Sequence, residues 1–286
     1  MPYHLQPTED GSYTFFSDEF GETYHSTSGA REEAEKKFIA VCRVADRARQ
    51  FGEIKILDIC YGLGYNTATA LETIFRVNAD CRVEIVALEN DREIPRQAIE
   101  KDLLQGWNAP IPEYLAILAR DHRLQAGNVN ATLLIGDARQ TIQTVVETGF
   151  QADAIFLDPF SPTKCPQLWT GEFLGLVARC LHPAGDLATY SCAASVRTAL
   201  GMAGLSIGAT ESVGRKSPGT IARFLPFSEP LSLQEREHLQ TRAAVPYRDP
   251  TLADTAEIIL QRRREEQESS PLEPTNRWKK RWQNAG

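Results

Sequence analysis

The sequence lacks most of the features that set membrane and secreted proteins apart from ordinary globular ones. No apolar run in its 286 residues approaches the roughly 18 residues that a membrane-spanning helix needs. The first residues, Met1 to Gly21, are polar and aromatic and do not resemble a signal peptide. These absences predict a cytoplasmic protein that makes no contact with a membrane.

Cysteine is present, but its spacing matches no metal-binding pattern. There is no Cys-x-x-Cys pair, and no histidine stands at metal-ligand spacing from a cysteine. We therefore expect reduced thiols in the core or in loops, and no metal site. The six cysteines are Cys42, Cys60, Cys81, Cys165, Cys180 and Cys192.

The sequence has fewer basic than acidic residues, 31 against 38. The formal net charge of −7 argues against a general binder of polyanions. The negative excess lies wholly in residues 1–225, because the rest of the chain carries equal numbers of acidic and basic residues. The last stretch, Asn276 to Gly286, has basic residues and no acid, so it could meet phosphates, with Trp278 or Trp282 stacking on a base.

The most informative stretch begins with the apolar segment Ile54 to Leu57, which is typical of a buried parallel strand. Asp58 follows it, then a loop with Gly62 and Gly64, then a helix-forming run that starts at Asn66. Alternate glycines let the backbone amides approach a ligand closely. The spacing Asp-x-x-x-Gly-x-Gly is that of nucleoside-binding methyltransferases and fits neither a dinucleotide fingerprint nor a phosphate loop.

Three further predicted strands also end on an acid, at Glu89, Asp137 and Asp158. A single acid at such a position is often only a helix N-cap or a salt-bridge partner. Ligands bind at the carboxyl ends of parallel strands, so four acids in register with a glycine loop predict a ligand site. The absence of any provision for a pyrophosphate favours S-adenosylmethionine over NAD.

Each acid can be given a role toward that cofactor. Glu89 is placed to accept hydrogen bonds from two ribose hydroxyls. Asp137 is placed to accept from the adenine amino group, with the Ala138 amide facing a ring nitrogen. Asp58 is expected to hold the methionine ammonium or to brace the loop. The predicted cofactor-binding residues are Asp58, Gly62, Gly64, Asn66, Glu89, Asp137 and Ala138.

Asp158 opens a proline-rich loop, residues 158–164, where an acceptor is expected to meet the transferred methyl group. An alkylamine is protonated at neutral pH, and a neighbouring carboxylate that orients it and removes its proton assists the displacement. Asp158 is therefore the predicted catalytic residue, and Phe160 is predicted to pack on a planar acceptor. The alternative is that Asp158 merely caps a turn.

Strands alternate with helices along most of the chain, which predicts an α/β fold with a mostly parallel sheet and right-handed crossovers. Residues 1–50 are expected to form a small β-hairpin and one helix from Arg31 to Gln50. Residues 51–227 form the predicted core, with a helix over Glu113 to Leu124. Residues 228–286 are predicted to be a charged helical extension with a mobile basic tail after Ser269.

Several motifs resemble the methyltransferase half of the MnmC family over residues 11–225. The glycine loop and the strand-end acids belong to this resemblance, and its most specific parts are a block after Asp158 and a late Gly-Arg-Lys. The quoted segments are Tyr24-His25-Ser26, Gly29 to Ala34, Gly62 to Asn66, Leu88-Glu89, Gly136-Asp137-Ala138, Phe156 to Lys164 with Pro166, Leu168-Trp169-Thr170, Ser191, Val196-Arg197 with Leu200, and Gly214-Arg215-Lys216.

The resemblance implies a class I S-adenosylmethionine-dependent methyltransferase with a mostly parallel seven-stranded sheet. It implies methylation of the aminomethyl group on the wobble uridine in the anticodon region of tRNA, giving a 5-methylaminomethyl-2-thiouridine-type nucleotide. Carried over to this chain, it puts Gly62, Gly64, Glu89 and Asp137 at the cofactor and Asp158 at the amine. The substrate-binding candidates are Tyr24, Phe160, Lys164, Arg215 and Lys216.

Two departures from the family pattern stand out. The family usually has glycine where this chain has Cys60, so the loop must adopt a conformation that a side chain tolerates. MnmC often carries a fused flavin oxidase that produces the free amine, and nothing after Gly219 has a flavin-type fingerprint. The chain is therefore expected to depend on a separate enzyme for its amine-bearing tRNA.

Two rival hypotheses remain open. An aminopropyl- or methyltransferase acting on a small amine, related to spermidine synthase, would share the fold and the acid after the fourth strand. The Leu168-Trp169-Thr170 and Gly214-Arg215-Lys216 segments, and the lack of further acids in residues 159–164, favour the tRNA enzyme. A non-catalytic tRNA-binding protein on the same fold is disfavoured by the retention of all four strand-end acids.

Overall fold

The protein, seen here in a computed structural model, is described for residues 4–212, 217–229 and 231–283. Its centre is a sheet of eight strands in the order β10-β11-β9-β8-β4-β5-β7-β6, with a separate three-stranded sheet near the amino terminus. The strands are β1 (His4–Pro7), β2 (Tyr13–Ser17), β3 (Glu22–Thr23), β4 (Glu53–Ile59), β5 (Arg82–Glu89), β6 (Arg123–Ala126), β7 (Val129–Ile135), β8 (Ala152–Leu157), β9 (Leu181–Thr189), β10 (Ser206–Ala209) and β11 (Thr220–Arg223).

Helices cover both faces of the central sheet and make up the end of the chain. They are α1 (Ala30–Ala34), α2 (Val44–Gln50), α3 (Tyr65–Val77), α4 (Glu93–Glu100), α5 (Ile111–Asp121), α6 (Ala138–Glu147), α7 (Gly171–Arg179), α8 (Ala194–Met202), α9 (Leu233–His238), α10 (Ala256–Ser269) and α11 (Thr275–Gln283). A π-helical turn, Glu35–Ile39, follows α1, and short 3-10 turns occupy Pro166–Trp169 and Arg242–Ala244.

The five central strands run parallel, as the alternation of strands and helices predicts. The chain passes from β4 outward through β5 to β7 and then returns to the other side of β4 to form β8 and β9. The order of the strands thus reverses between β4 and β8. In sheets of this kind the ligand crevice lies beyond the carboxyl ends of the strands at the reversal. Asp58 and Asp158 stand at that point.

The sheet has one strand more than the predicted seven. The predicted helix over residues 113–124 ends at Asp121, because His122 adopts a left-handed conformation with φ 58° and stops it. The next residues form β6, which pairs antiparallel with β7 and turns the buried Leu124 inward. The addition lies at an edge and leaves the parallel core unchanged.

The amino-terminal segment differs from the prediction in two details. The expected hairpin is present as β2 and β3, but β1 pairs with β2 and makes the sheet three-stranded. The single helix predicted over residues 31–50 is interrupted after the π-helical turn. Arg43 has φ 54°, a left-handed value that breaks the helical hydrogen-bond ladder before α2 begins.

The basic end of the chain is a docked helix, so the prediction of a mobile tail after Ser269 is wrong for the described residues. The Trp278 ring stacks on His238 with centroids 4.2 Å apart, and the Trp282 indole N–H donates a 2.9 Å hydrogen bond to Glu237. Arg281 bonds to Glu237 and Glu273. Both tryptophans therefore serve packing inside the protein.

The division into three segments at residues 50 and 227 stays a prediction.

In residues 4–212, 217–229 and 231–283, none of the helices combines the length and the apolar character that crossing a membrane requires. Over the same ranges there is no group of histidine, cysteine and acidic side chains arranged to hold a metal ion.

Candidate active site

A cavity of about 780 Å³ lies at the carboxyl ends of the parallel strands. This volume is within the range of about 300–1,000 Å³ that is typical of small-molecule sites. Its floor comes from the ends of β4, β5 and β8 and from the start of α6, and residues 16–25 of the hairpin line its other side. The sheet thus supplies the strand-end acids and the hairpin encloses them.

The glycine loop contributes Cys60 and Gly62 to the cavity wall. Gly62 has φ 56°, and a side chain there would reach 3.4 Å from the Tyr24 ring, which also lines the cavity. Gly64, with φ 84°, lies behind the lining residues, where a Cβ would come within 2.5 Å of the Tyr61 hydroxyl. Gly64 is therefore required for packing at the start of α3, and Gly62 is the glycine that faces the cavity.

Cys60, where the family resemblance implies a glycine, has φ 66°. L-residues with side chains are disfavoured in this left-handed region. Burial raises the pKa of the Cys60 thiol well above its usual range, and the negative charge of Glu89 raises it further. The thiol is therefore neutral at physiological pH, which argues against a nucleophilic role.

Substitutions at Cys60 are expected to separate backbone strain from chemistry. Cys60→Gly should be at least as stable as the natural protein. The β-branched Cys60→Val should have an unfolding free energy about 1–2 kcal/mol lower than that of Cys60→Gly. Urea denaturation of the two variants measures the difference. Equal stabilities would show that the loop relaxes out of the left-handed conformation.

Glu89, at the end of β5, is buried and lines the cavity. Its Oε2 accepts a 2.8 Å hydrogen bond from the Gly62 backbone N–H, and its Oε1 accepts one of 2.9 Å from the Asp91 N–H. Burial raises the pKa of this carboxyl, although these amides act in the opposite direction. The carboxylate still keeps acceptor capacity for ligand hydroxyls, so it fits a ribose diol.

Asp137 caps α6, where its side chain accepts a hydrogen bond from the Arg139 backbone N–H. The Arg139 guanidinium also contacts the Asp137 carboxylate at 2.6 Å and reaches the buried Asp249 at 2.8 Å. Asp137, Ala138 and Arg139 all line the cavity. Asp249, which precedes α10, was not predicted, because no motif signals that the end of the chain returns to this site.

Asp58 and Asn66 lie behind the lining residues. Asp58 is fully buried, and its Oδ2 accepts a 2.7 Å hydrogen bond from the Thr67 hydroxyl of α3. Burial raises the pKa of Asp58 to about 7. Asn66, also buried, donates from Nδ2 to the Asp158 carboxylate at 3.2 Å. Of the two roles expected for Asp58, this position suits bracing the loop.

Asp158, after β8, is half-buried and lines the cavity. Burial raises the pKa of its carboxyl well above the usual range, and the negative charge of Glu33 raises it further, while the Asn66 hydrogen bond lowers it. A carboxyl with a raised pKa is able to take up a proton near neutral pH, as a general base requires.

The loop after Asp158 is held against the hairpin. The Phe160 ring stacks on Phe20 with centroids 4.3 Å apart, and the Tyr24 ring meets it edge-on at 5.0 Å. The Ser161 backbone N–H and hydroxyl donate to Glu22 at 3.0 and 2.6 Å. One face of Phe160 is thus covered by the protein itself. Glu22 and Phe20 were not predicted, since only the fold brings the hairpin to this loop.

Lys164 is the remaining substrate-binding candidate among the described residues, and it is not part of the cavity wall. Lys164 is exposed, and its ammonium lies 3.8 Å from the position of a Cβ built on Gly21, at the tip of the hairpin. Arg215 and Lys216 fall outside the described residues.

Two other residues that line the cavity belong to the family-like motifs but had no predicted function. His25 is buried, stacks on Tyr65 at 4.9 Å, and has its pKa lowered to about 4 by burial, so its ring is neutral at physiological pH. Glu33 of α1 is buried in an ion pair with Lys37. Neither follows a strand of the parallel sheet, which is why the strand-end pattern could not identify them.

The cavity is strongly acidic. Among the described lining residues, Arg139 is the only arginine or lysine, and all the other charged side chains are carboxylates. A wall of this kind attracts cations. The sulfonium and ammonium of S-adenosylmethionine therefore fit it, and Glu89 fits the ribose. The acidic residues are Asp18, Glu19, Glu22, Glu33, Glu89, Asp91, Glu93, Asp137 and Asp158.

The chain is similar to known proteins in sequence and in fold. A family model described as S-adenosyl-L-methionine-dependent methyltransferase matches residues 101–224. The crystal structure of MnmC2 from Aquifex aeolicus is 34% identical in sequence, with a TM-score of 0.82 over 94% of this chain and 86% of that one. An uncharacterised protein from Methanocaldococcus jannaschii is 32% identical over 274 residues, which are 92% of this chain and 72% of the relative.

Longer relatives match as well. The tRNA 5-methylaminomethyl-2-thiouridine biosynthesis bifunctional protein MnmC of Methylibium petroleiphilum is 30% identical over 73% of this chain. The chain covers 32% of that protein, so it spans about a third of the length of this bifunctional relative.

The reversal of the parallel strands, the glycine loop and the family match define a class I S-adenosylmethionine-dependent methyltransferase. This confirms the predicted fold class and cofactor. The chain belongs to the MnmC-like methyltransferase family, as its motifs predict.

Proposed function

We propose that the protein methylates the aminomethyl group on the wobble uridine of tRNA, giving 5-methylaminomethyluridine or its 2-thio form. The observation that carries the proposal is the Asp158 carboxyl, which lines an acidic cavity and has a raised pKa. A protonated amine is attracted by such a wall and can lose its proton to such a carboxyl. The name of the bifunctional relatives supports tRNA as the carrier.

The residues of the cavity then have the following roles. Glu89 holds the ribose hydroxyls, and Asp137 and the Ala138 amide face the adenine. Gly62 lets the backbone approach the cofactor, while Asp58 braces the loop through Thr67. When bound, S-adenosylmethionine supplies an electrophilic methyl group, and the cavity wall holds it and the amine in line.

Asp158 orients the acceptor amine and draws off its proton. Tyr24 and the remaining face of Phe160 flank a planar uracil. Asn66 fixes the Asp158 carboxylate through its 3.2 Å hydrogen bond, which makes it a positioning residue. The free amine has to come from another reaction on the same tRNA, because methyl transfer consumes the amine and does not produce it.

Methyl transfer from labelled S-adenosylmethionine to tRNA from cells lacking this gene tests the proposal. A gain of one methyl on an aminomethyluridine, found by mass analysis of the nucleosides, is expected. Transfer to a free small amine, with no transfer to that tRNA, would contradict the proposed acceptor.

A small amine is the second candidate acceptor, and the acidic hairpin favours it. Residues 159–164 carry no acid, but Asp18, Glu19 and Glu22 line the cavity from the hairpin and supply negative charge for a polyamine. The same assay with spermidine or putrescine as the acceptor separates the two. Failure to bind S-adenosylmethionine at all would favour the non-catalytic tRNA-binding alternative.

Contact with tRNA phosphates is predicted for Arg215 and Lys216. Replacing both with glutamine should weaken tRNA binding and reduce the slope of log affinity against log salt by about 2, one for each lost phosphate contact. The affinity for S-adenosylmethionine should not change. Arg264→Gln, on the exposed side of α10, is the matched control and should leave the slope as it is. Equal loss of tRNA and cofactor affinity would contradict the assignment.

A further inference from the structure

Glu33 and Lys37 form an ion pair buried beside the cavity. Their side chains are 8% and 6% exposed, and they stand one helical turn apart. Glu33 also accepts a 2.6 Å hydrogen bond from the Ser26 backbone N–H, and it lines the cavity together with Asp158. Each Glu33 oxygen thus has a donor, and the charge of Lys37 is matched by Glu33.

Asp158 has no such counter-charge. Its side-chain hydrogen bond comes from a neutral group, Asn66, and it takes part in no ion pair within the described ranges. The two carboxyls of this end of the cavity therefore share one cation. The titratable and charged groups that act on Asp158 come from α1, the π-helical turn, β4 and the glycine loop; they are Glu33, Lys37, Asp58 and Cys60. His25 of the hairpin segment lines the same cavity.

Hydrogen-bond donors are also missing at this position. Of the buried acceptors with no partner among the described residues, two adjoin Asp158: Asn66 Oδ1 and Asp58 Oδ1. Asn66 is 3% exposed and Asp58 is fully buried. A buried acceptor without a donor is unfavourable because it has lost its water. Both atoms lie behind the cavity wall, so a ligand in the cavity meets the Asp158 carboxylate, which lacks a counter-charge. A primary ammonium group supplies that charge together with N–H donors.

We propose that Glu33 and Asp158 form a two-carboxylate subsite for a primary ammonium group. Glu33, held by Lys37 and Ser26, is a positioning residue that provides a fixed negative charge, and Asp158 exchanges the proton. The inference rests on the proposed function only in taking that ammonium to be the aminomethyl group of the acceptor.

The acidities of the two carboxyls support this division of roles. Burial acts to raise the pKa of Glu33, but the charge and hydrogen bond of Lys37 and the Ser26 amide lower it below its usual value. Asp158 shifts in the opposite direction. Neighbouring carboxyls whose pKa values are pushed apart are typical of acid–base sites.

The step balances as follows. The Asp158 carboxylate takes one proton from the ammonium and leaves a neutral amine. The amine lone pair forms the N–C bond to the methyl carbon, while the C–S bond breaks and its electron pair stays on sulfur. The secondary ammonium product carries the positive charge that the sulfonium loses, and the Asp158 proton passes to solvent.

The pKa of Asp158 can be measured without any acceptor, by ¹³C NMR of protein labelled at aspartate, with Asp158→Asn to assign the signal. Glu33→Gln should lower the pKa of Asp158, because a negative charge is removed, and Lys37→Met should raise it. The double variant, which removes both partners of the ion pair, is the folding control, and its Asp158 pKa should lie between those of the two single variants. Shifts of both single variants in one direction, or no shift, would overturn the proposal.

Binding of an ammonium group to the subsite is tested with methylammonium chloride in the presence of S-adenosylhomocysteine. Tetramethylammonium, which has no N–H, is the control. Methylammonium alone should lower the pKa of Asp158, and Glu33→Gln should weaken its binding by about tenfold or more. No response to methylammonium would refute the subsite. A response without methylation of aminomethyl-tRNA would leave the subsite standing and refute the proposed function.

The cofactor offers a competing source of an ammonium group. Calorimetry with S-adenosylmethionine on Glu33→Gln should give an affinity close to that of the natural protein, while the KM for the acceptor rises. A loss of cofactor affinity as large as the loss for methylammonium would assign the subsite to the methionine amino group and overturn the proposal.

Discussion

Asp158→Asn is expected to reduce kcat by about 100- to 10,000-fold, the range typical of losing a general base, while S-adenosylmethionine binds almost as before. Asparagine keeps the shape of the side chain and can still bond to Asn66, but it cannot take a proton from the amine. Because the pKa of Asp158 is raised, the rate of the natural enzyme should increase with pH as this carboxyl ionises, and this limb should vanish in the variant.

The stability of the same variant gives an independent check. The pKa of Asp158 is higher in the folded state than in the unfolded state, where it is about 3.9. The contribution of Asp158 to stability is therefore fully present below the unfolded-state pKa and is lost as the pH rises through the folded-state pKa. Asp158→Asn removes the cost of burying the ionised carboxyl. It should therefore be at least as stable as the natural protein in urea denaturation at pH 8.

Asp153→Asn is the matched control for this experiment. Asp153 lies on the same strand at its amino end, where it accepts a 2.9 Å hydrogen bond from the Lys55 backbone N–H, far along β8 from the cavity. It should lose some stability and keep its kcat. Full activity of Asp158→Asn on aminomethyl-tRNA would show that Asp158 only caps a turn.

Glu89→Gln should weaken S-adenosylmethionine binding by about 100-fold, which corresponds to about 2.7 kcal/mol. Glutamine turns an NH₂ group toward either the Gly62 or the Asp91 amide, so a buried donor meets a donor. It also replaces the charge-assisted bonds expected to the ribose hydroxyls, and each such bond contributes about 1.5–3 kcal/mol.

Calorimetry with S-adenosylmethionine measures this effect. Glu84→Gln is the control, because Glu84 lies on the same strand but points outward to Lys55 at 2.8 Å, with about a third of its side chain exposed. It should bind the cofactor normally. A cofactor affinity of Glu89→Gln within threefold of the natural value would remove Glu89 from the binding site.

Much of the site was predictable because its residues follow strands. A parallel sheet brings the carboxyl ends of its strands to one edge, so Glu89, Asp137 and Asp158 could be grouped from their positions alone. The roles of Asp58 and Gly64 could not be read in this way. A strand-end acid or a loop glycine can point into the cavity or behind it, and that choice depends on packing against Thr67 and Tyr61.

Other parts of the site depend on contacts between distant segments. The pairing of Glu22 with Ser161 joins residues 139 positions apart, and that of Arg139 with Asp249 joins residues 110 positions apart. No local pattern encodes such distances. The same reason explains the basic end of the chain, whose docking on His238 and Glu237 contradicts the mobile tail that its composition predicts.

By itself, the sequence determined the fold class, the cofactor and the family, because these rest on short-range features: strand periodicity, a glycine loop and an acid at the end of each strand. Only the tertiary structure decided which of the predicted residues face the cavity. It also brought the buried Glu33–Lys37 pair to Asp158, because the helical segment that carries the pair packs against α3 and β9. The acidity of Asp158 follows from that packing, since burial and a neighbouring charge are properties of the folded chain.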